Sequence, residues 1–225
     1  MNDINQVLWH EMIDVLLVAA LILDLLQVAT KKLKSAVWLN AAQAALLGMM
    51  PLLLAGGEFE FHILTMSAAI FIVRGVVIPQ ILLWSVRSAP ASLESKSILD
   101  QGTTMTIAAV LIGVSFALGI NLPLPKSIPH FSDLLVPTAM ATVMLGLFLL
   151  IIRTQALMQV IGYLTIENGI YLFGLALVRE TPVVVELGIL LDVFVGVFVG
   201  VGNGIGVPAC PGGNRCLAGT VPWGI

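Results

Sequence analysis

The chain has 225 residues and a formal net charge of −3, with 59% apolar and only 10% charged residues, and its mean hydropathy is +1.05. Soluble globular domains carry roughly a quarter charged residues, so that class is excluded and the sequence reads as an all-α, polytopic membrane helix bundle. The negative balance says little about partners, because several of the acids fall inside apolar segments.

Apolar stretches of about 18–25 residues, enough to cross a hydrocarbon core of roughly 30 Å, recur at 12–29, 36–55, 62–86, 103–120, 133–152, 156–178 and 182–202. They predict about seven transmembrane helices. The first carries Asp14 and Asp24, lacks a basic leading region and is followed by Lys31, Lys32 and Lys34, so it reads as a retained span rather than a signal peptide. Asp24 with Gln27 on span one, and Asn40 with Gln43 on span two, are i, i+3 pairs that give these helices polar faces. Such faces serve interhelical hydrogen bonding or line a wet path.

Span three holds Arg74, five residues before Pro79. A cation there needs a counter-ion, and Asp24 and Glu167 are the candidates by depth. Pro51, Pro79 and Pro137 sit inside predicted spans and are expected to kink them. The polar loop SAPASLESKSILDQG separates a three-helix segment with its loop, 1–102, from a four-helix segment, 103–202. The connection NLPLPKSIPHFSD carries three prolines and is expected to stay extended.

Span six places Tyr163, Glu167 and Tyr171 on one face at i, i+4 and i+8, along with Gly174, while Gly162 and Gly169 permit close helix approach. A carboxyl between two phenols could exchange a proton near neutral pH, or could simply hold a neighbouring helix. On span seven, Glu186 and Asp192 are six residues apart, about 120° around a helix, so they do not face one partner together. Asp192 is the better proton carrier of the two. Glu186 reads either as a relay mouth or as an acid favoured by the helix N-terminal dipole.

The residues exclude several functions. No phosphate-binding loop, HExxH or Gly-x-Ser-x-Gly motif occurs, and span seven has no lysine for a retinal Schiff base. His10, His62 and His130 fall at span ends or in loops, and Cys210 and Cys216 have no metal-site spacing, so no metal or cofactor site is expected in the chain. The Gly/Pro-rich tail, 203–225, is expected to be disordered or loosely helical, and its abrupt change of composition fits a frameshifted reading frame. Lys31, Lys32, Lys34, Arg87, Lys96 and Arg153 fall on one side, against Lys126 and Arg179 on the other. The positive-inside rule then puts the N-terminus outside and the C-terminus in the cytoplasm.

The segment GYLTIENGIYLFGLAL, followed by TPVVVELGILLDVFVGVFV, resembles the membrane component E of hydrogenase-4 and formate hydrogenlyase-type complexes, as does the basic residue followed by a proline at Arg74 and Pro79. The last three spans are similar to the K subunit of respiratory complex I and to a small subunit of multisubunit sodium/proton antiporters. The resemblance implies a multi-pass subunit of the prokaryotic cytoplasmic membrane with no catalytic centre of its own. Its expected partners are antiporter-like membrane subunits and soluble hydrogenase subunits that hold the Fe–S clusters and the Ni–Fe centre; no nucleic acid is expected. In the K subunit, glutamates on the last two helices belong to a hydrated axis that carries protons or charge laterally. Carried over helix by helix, this makes Glu167 and Asp192 the relay, Glu186 an entry or coupling acid, and Arg74 with Asp24 the charge-tuning or counter-ion residues. Tyr163, Tyr171, Asn168, Asn40 and Gln43 would support them. An antiporter subunit without a redox partner, and a structural scaffold whose acids glue helices, are the rival readings.

Overall fold

The computed structural model describes residues 2–51, 68, 71–88, 98–121 and 132–177. The elements are helical throughout: α1 (Asn2–Ala29), α2 (Leu33–Gly48), a π-helical turn (Val73–Val77) that runs into α3 (Ile78–Ser88), α4 (Gln101–Ile120), α5 (Leu135–Ile152) and α6 (Ala156–Leu177). Lipid offers no water to a backbone, so an apolar chain of this composition must satisfy its N–H and C=O groups inside helices. Glu11–Ala29, Gln101–Ile120 and Leu135–Ile152 are long and apolar enough to cross a membrane. The predicted seventh span with Glu186 and Asp192 lies outside the described residues, as do the 203–225 tail with both cysteines, His62 and His130.

Each of the three prolines stands where the regular α-helical ladder begins, ends or is interrupted. Pro137 is in the first turn of α5, where its missing N–H costs no ladder bond. Pro51 follows the end of α2, which tightens at Met49, whose N–H reaches Leu46 O at 3.1 Å. Pro79 is the second residue of α3, directly after the π-helical turn. A proline leaves the carbonyl four residues back without a donor and crowds it with its ring, and a wide turn at that place relieves both demands. Asp100 starts α4 by accepting from Gly102 N–H at 3.2 Å, and the Asn121 side chain closes it by donating to Ala117 O at 2.6 Å.

Among the described residues the α5–α6 hairpin is the most extensive helix contact, and glycine makes it possible. A Cβ added at Gly146 would lie 2.7 Å from Ile166 N, one at Gly162 would lie 2.9 Å from Leu150 N, and one at Gly169 would lie 2.8 Å from Val143 N. Without a hydrophobic driving force between helices in lipid, such close approach is what lets dispersion hold them together. Gly119 of α4 does the same against Pro137. Around the hairpin, α1 rests on α2, α4 and α5, while α2 contacts α6, α3 and the π-helical turn.

Arg153, in the short α5–α6 connection, is 2% exposed. Its Nη2 donates to Val28 O at 2.9 Å and Thr30 O at 2.7 Å, so a residue counted from sequence as a loop cation serves as a cap on the end of α1. Outward, Met12, Val15, Val18, Ile22 and Leu26 of α1 and Val110, Val114 and Leu118 of α4 form exposed apolar stripes at helical spacing, the surface expected to meet lipid.

Because the α5–α6 seam is closed backbone to backbone, Gly146→Leu and Gly169→Leu should sharply reduce the yield of monodisperse protein on size-exclusion chromatography after detergent extraction. Gly113, which has open space where its Cβ would be, should tolerate leucine. Overpacking costs about 1–3 kcal/mol or more, and equal yields from all three variants would contradict the seam.

Candidate functional site

The site begins with the π-helical turn. Each residue of an α-helix advances about 100°, and the wide turn shifts that register where Arg74 leaves the backbone. Arg74 is buried and faces α6. Its Nη2 donates to Glu167 Oε1 at 2.6 Å, with both side chains 7% exposed. Its Nη1 lies 3.4 Å from Asn168 Oδ1, and its Cζ is 5.7 Å from the centre of the Tyr171 ring. Glu167, Asn168 and Tyr171 occupy i, i+1 and i+4 of α6, so one turn of that helix surrounds one guanidinium.

A hydrogen-bonded belt continues from there. Asn168 Nδ2 donates to Gln43 Oε1 of α2 at 3.3 Å, and Gln43 Nε2 donates to Asp24 Oδ1 of α1 at 2.9 Å. The other oxygen of Asp24 accepts from the Thr142 hydroxyl of α5 at 2.8 Å. Gln27 Nε2 donates to Gln43 Oε1 at 3.0 Å, and the Thr165 hydroxyl of α6 lies 2.9 Å from both Gln27 Oε1 and Ile161 O, which share its one proton. Asp24 and Gln43 are fully buried. The belt therefore ties α1, α2, the π-helical turn, α5 and α6 together through side chains alone. Apolar clusters flank it, one including Leu17, Met50 and Leu172, the others including Val37 with Ile161 and Val28 with Leu149.

The two counter-ion candidates differ in what they meet. Glu167 takes Arg74, whereas Asp24 is held by the amide of Gln43 and the hydroxyl of Thr142, both neutral. Chemically the belt is of mixed character. Amide and guanidinium N–H groups donate and fix orientation, while carboxyl and hydroxyl groups can also take and give protons. A buried ion pair of this kind is costly to break from one side, by about 3–5 kcal/mol, because the survivor is left charged and desolvated.

Of the other residues singled out from the sequence, Tyr171 is buried beside Arg74, and Tyr163 is half-buried on the same helix. Asn40 is buried and lines a small cavity with Arg74 and Asn168. Glu186 and Asp192 lie outside the described residues. Sequence reasoning missed Thr142 and Thr165. A threonine in a membrane helix can satisfy itself on the carbonyl four residues back, as Thr165 does on Ile161, so neither residue advertises a tertiary bond. Midway along α1, Asp14 accepts a hydrogen bond from Ser132, which also accepts from Leu134 N–H at 3.1 Å. Among the described residues no group of three or more His, Cys, Asp or Glu is placed to hold a metal ion.

No family model matches the sequence, and no solved structure matches it. The chain is 28% identical over 133 residues to proteins named hydrogenase-4 component E in Escherichia coli K12 and Shigella flexneri. That match covers 58% of this chain and spans only 60% of the length of those components. A longer match is to the Mycobacterium tuberculosis protein Rv0085, described as uncharacterized, at 31% identity over 164 residues, covering 72% of this chain and 74% of that protein. On that coverage the chain belongs to the family of Rv0085, and it shares a shorter stretch of likeness with component E of hydrogenase-4.

Proposed function

We propose that this chain is a non-catalytic membrane subunit of an energy-converting, complex I-like [NiFe] hydrogenase, and that it helps couple electron transfer in partner subunits to movement of protons or Na⁺. The observation that carries the reading is the buried Arg74–Glu167 pair, joined through Asn168 and Gln43 to a second buried acid, Asp24. Ionisable groups are retained in lipid-embedded helices mostly where charge must move. The likeness to hydrogenase-4 component E supplies the redox context.

In this reading a proton arriving at Glu167 neutralises the carboxylate and frees the guanidinium. Arg74 then leans on the amide oxygens of Asn168 and Gln43, along the line toward Asp24. Charge thus shifts sideways within the bundle without any residue crossing it. Glu167 and Asp192 form the relay, with Glu186 as the entry or coupling acid on the last span. The basic residues around Lys31–Lys34 face the cytoplasm. Moving one charge through 100 mV is worth about 2.3 kcal/mol, less than the ~3–5 kcal/mol that breaking a buried ion pair from one side costs, so the coupled electron transfer would supply the remainder.

The scaffold reading has its own observation: Gln27, Gln43, Thr142 and Thr165 are well hydrogen-bonded and join four helices, which is what helix glue does. Proton uptake into inverted vesicles that carry the whole complex, normalised to assembled complex, separates the two. Asp192→Asn should lose most of the pumping while assembly stays near wild type, and Glu167→Gln, which keeps an acceptor for Arg74 but removes its counter-charge, should lose most of the pumping per assembled complex together with part of the assembly. Full pumping in both variants would leave the chain a scaffold.

Assembly itself should respond differently to the two described acids. Glu167→Ala strands Arg74, so about 3–5 kcal/mol is lost, and the double change Glu167→Ala with Arg74→Met should recover much of the complex on native gels. Asp24→Asn keeps an acceptor for Gln43 and should assemble nearly normally. A double variant no better than Glu167→Ala would show that the pair is not what the bundle depends on.

A further inference from the structure

Between α2, the π-helical turn and α6 lies a cavity of about 10 Å³, lined by Asn40, Ala44, Arg74, Ile78, Leu164 and Asn168. That is about the room of one water molecule. Three of its six lining residues are polar, which separates it from the dry apolar voids that stay empty. Asn40 is 5% exposed, and its Nδ2 has no hydrogen-bond partner. An amide N–H buried in this way needs an acceptor, and a cavity beside it is where one fits. The two bonds made by Asn168 at the same place are long, 3.4 Å from Arg74 and 3.3 Å to Gln43, so its amide is held loosely enough to share another partner.

We propose that this cavity is a binding site for a single structural water, which accepts from Asn40 Nδ2 and from the Arg74 guanidinium and donates to Asn168 Oδ1. Three such partners are typical of a conserved buried water. The water solvates the guanidinium from the cavity, so that Arg74 keeps a polar neighbour when Glu167 takes up a proton. Asn40 is then a positioning residue that holds the water, and Ala44 is small because the site requires the space. The water site stands on geometry alone; its part in charge movement rests on the proposed function.

The test is a cryo-EM map of the assembled complex at a resolution that shows ordered waters, together with proton uptake by inverted vesicles. One spherical density within hydrogen-bonding distance of Asn40 and Arg74 is expected. It should disappear in Asn40→Leu and in Ala44→Val, with a several-fold slower proton uptake in both at equal assembly. A dry cavity in the wild-type map overturns the site, and this result needs no variant to fold. Density lost with uptake unchanged overturns the role given to the water. A wild-type complex that assembles but moves no protons defeats the pumping reading instead, and the density alone then decides whether the water is bound.

Discussion

The Arg74 guanidinium, buried among apolar helices, governs the arrangement of this bundle. Arg74 cannot lose its charge and cannot reach bulk water, so the chain must bring a carboxylate to it and hold that carboxylate still. Glu167 does this from α6, with Asn168 and Tyr171 closing around the same group. The position of α6 relative to α3 is thereby fixed by electrostatics. The position of α6 relative to α5 is fixed by quite different means, the bare backbone contact at Gly146, Gly162 and Gly169.

These two constraints act together. The glycine seam holds α5 where Thr142 reaches Asp24 on α1, while α2 contributes Gln43 from the other side. A looser hairpin would separate those donors from their acceptors and leave polar atoms in an apolar medium, where each unmade bond costs far more than a made one gains. Packing precision in the seam is therefore a precondition for the polar belt. The belt in turn selects one relative placement of four helices from the many that apolar contacts alone would tolerate.

Much of this was legible in the residues. The helical membrane class follows from composition and the length of the apolar runs, and α4 and α5 lie close to the limits of their runs, whereas α1 ends with its run at Ala29 but begins ten residues before it. Arg74, Glu167, Asn168, Asp24, Asn40 and Gln43 stand out because polar groups in such segments are expensive. Sequence left two partners open for Arg74, since depth along a helix does not say which face meets which neighbour. It also did not show the π-helical turn that precedes Pro79, because such a turn carries no residue signature of its own. Arg153 looked like any loop cation; only the fold shows the carbonyls of Val28 and Thr30 that take it out of water.

The π-helical turn gives the number of residues in Val73–Val77 a meaning separate from their identity. Such a turn is an α-helix with one residue to spare, and deleting Gly75, Val76 or Val77 would let the helix close into an ordinary ladder. Everything before the deletion would then rotate by about 100° against everything after it. Arg74 would leave the face that meets α6, although no residue of the polar belt had been altered. Counting, as much as chemistry, is what inheritance must preserve in this segment.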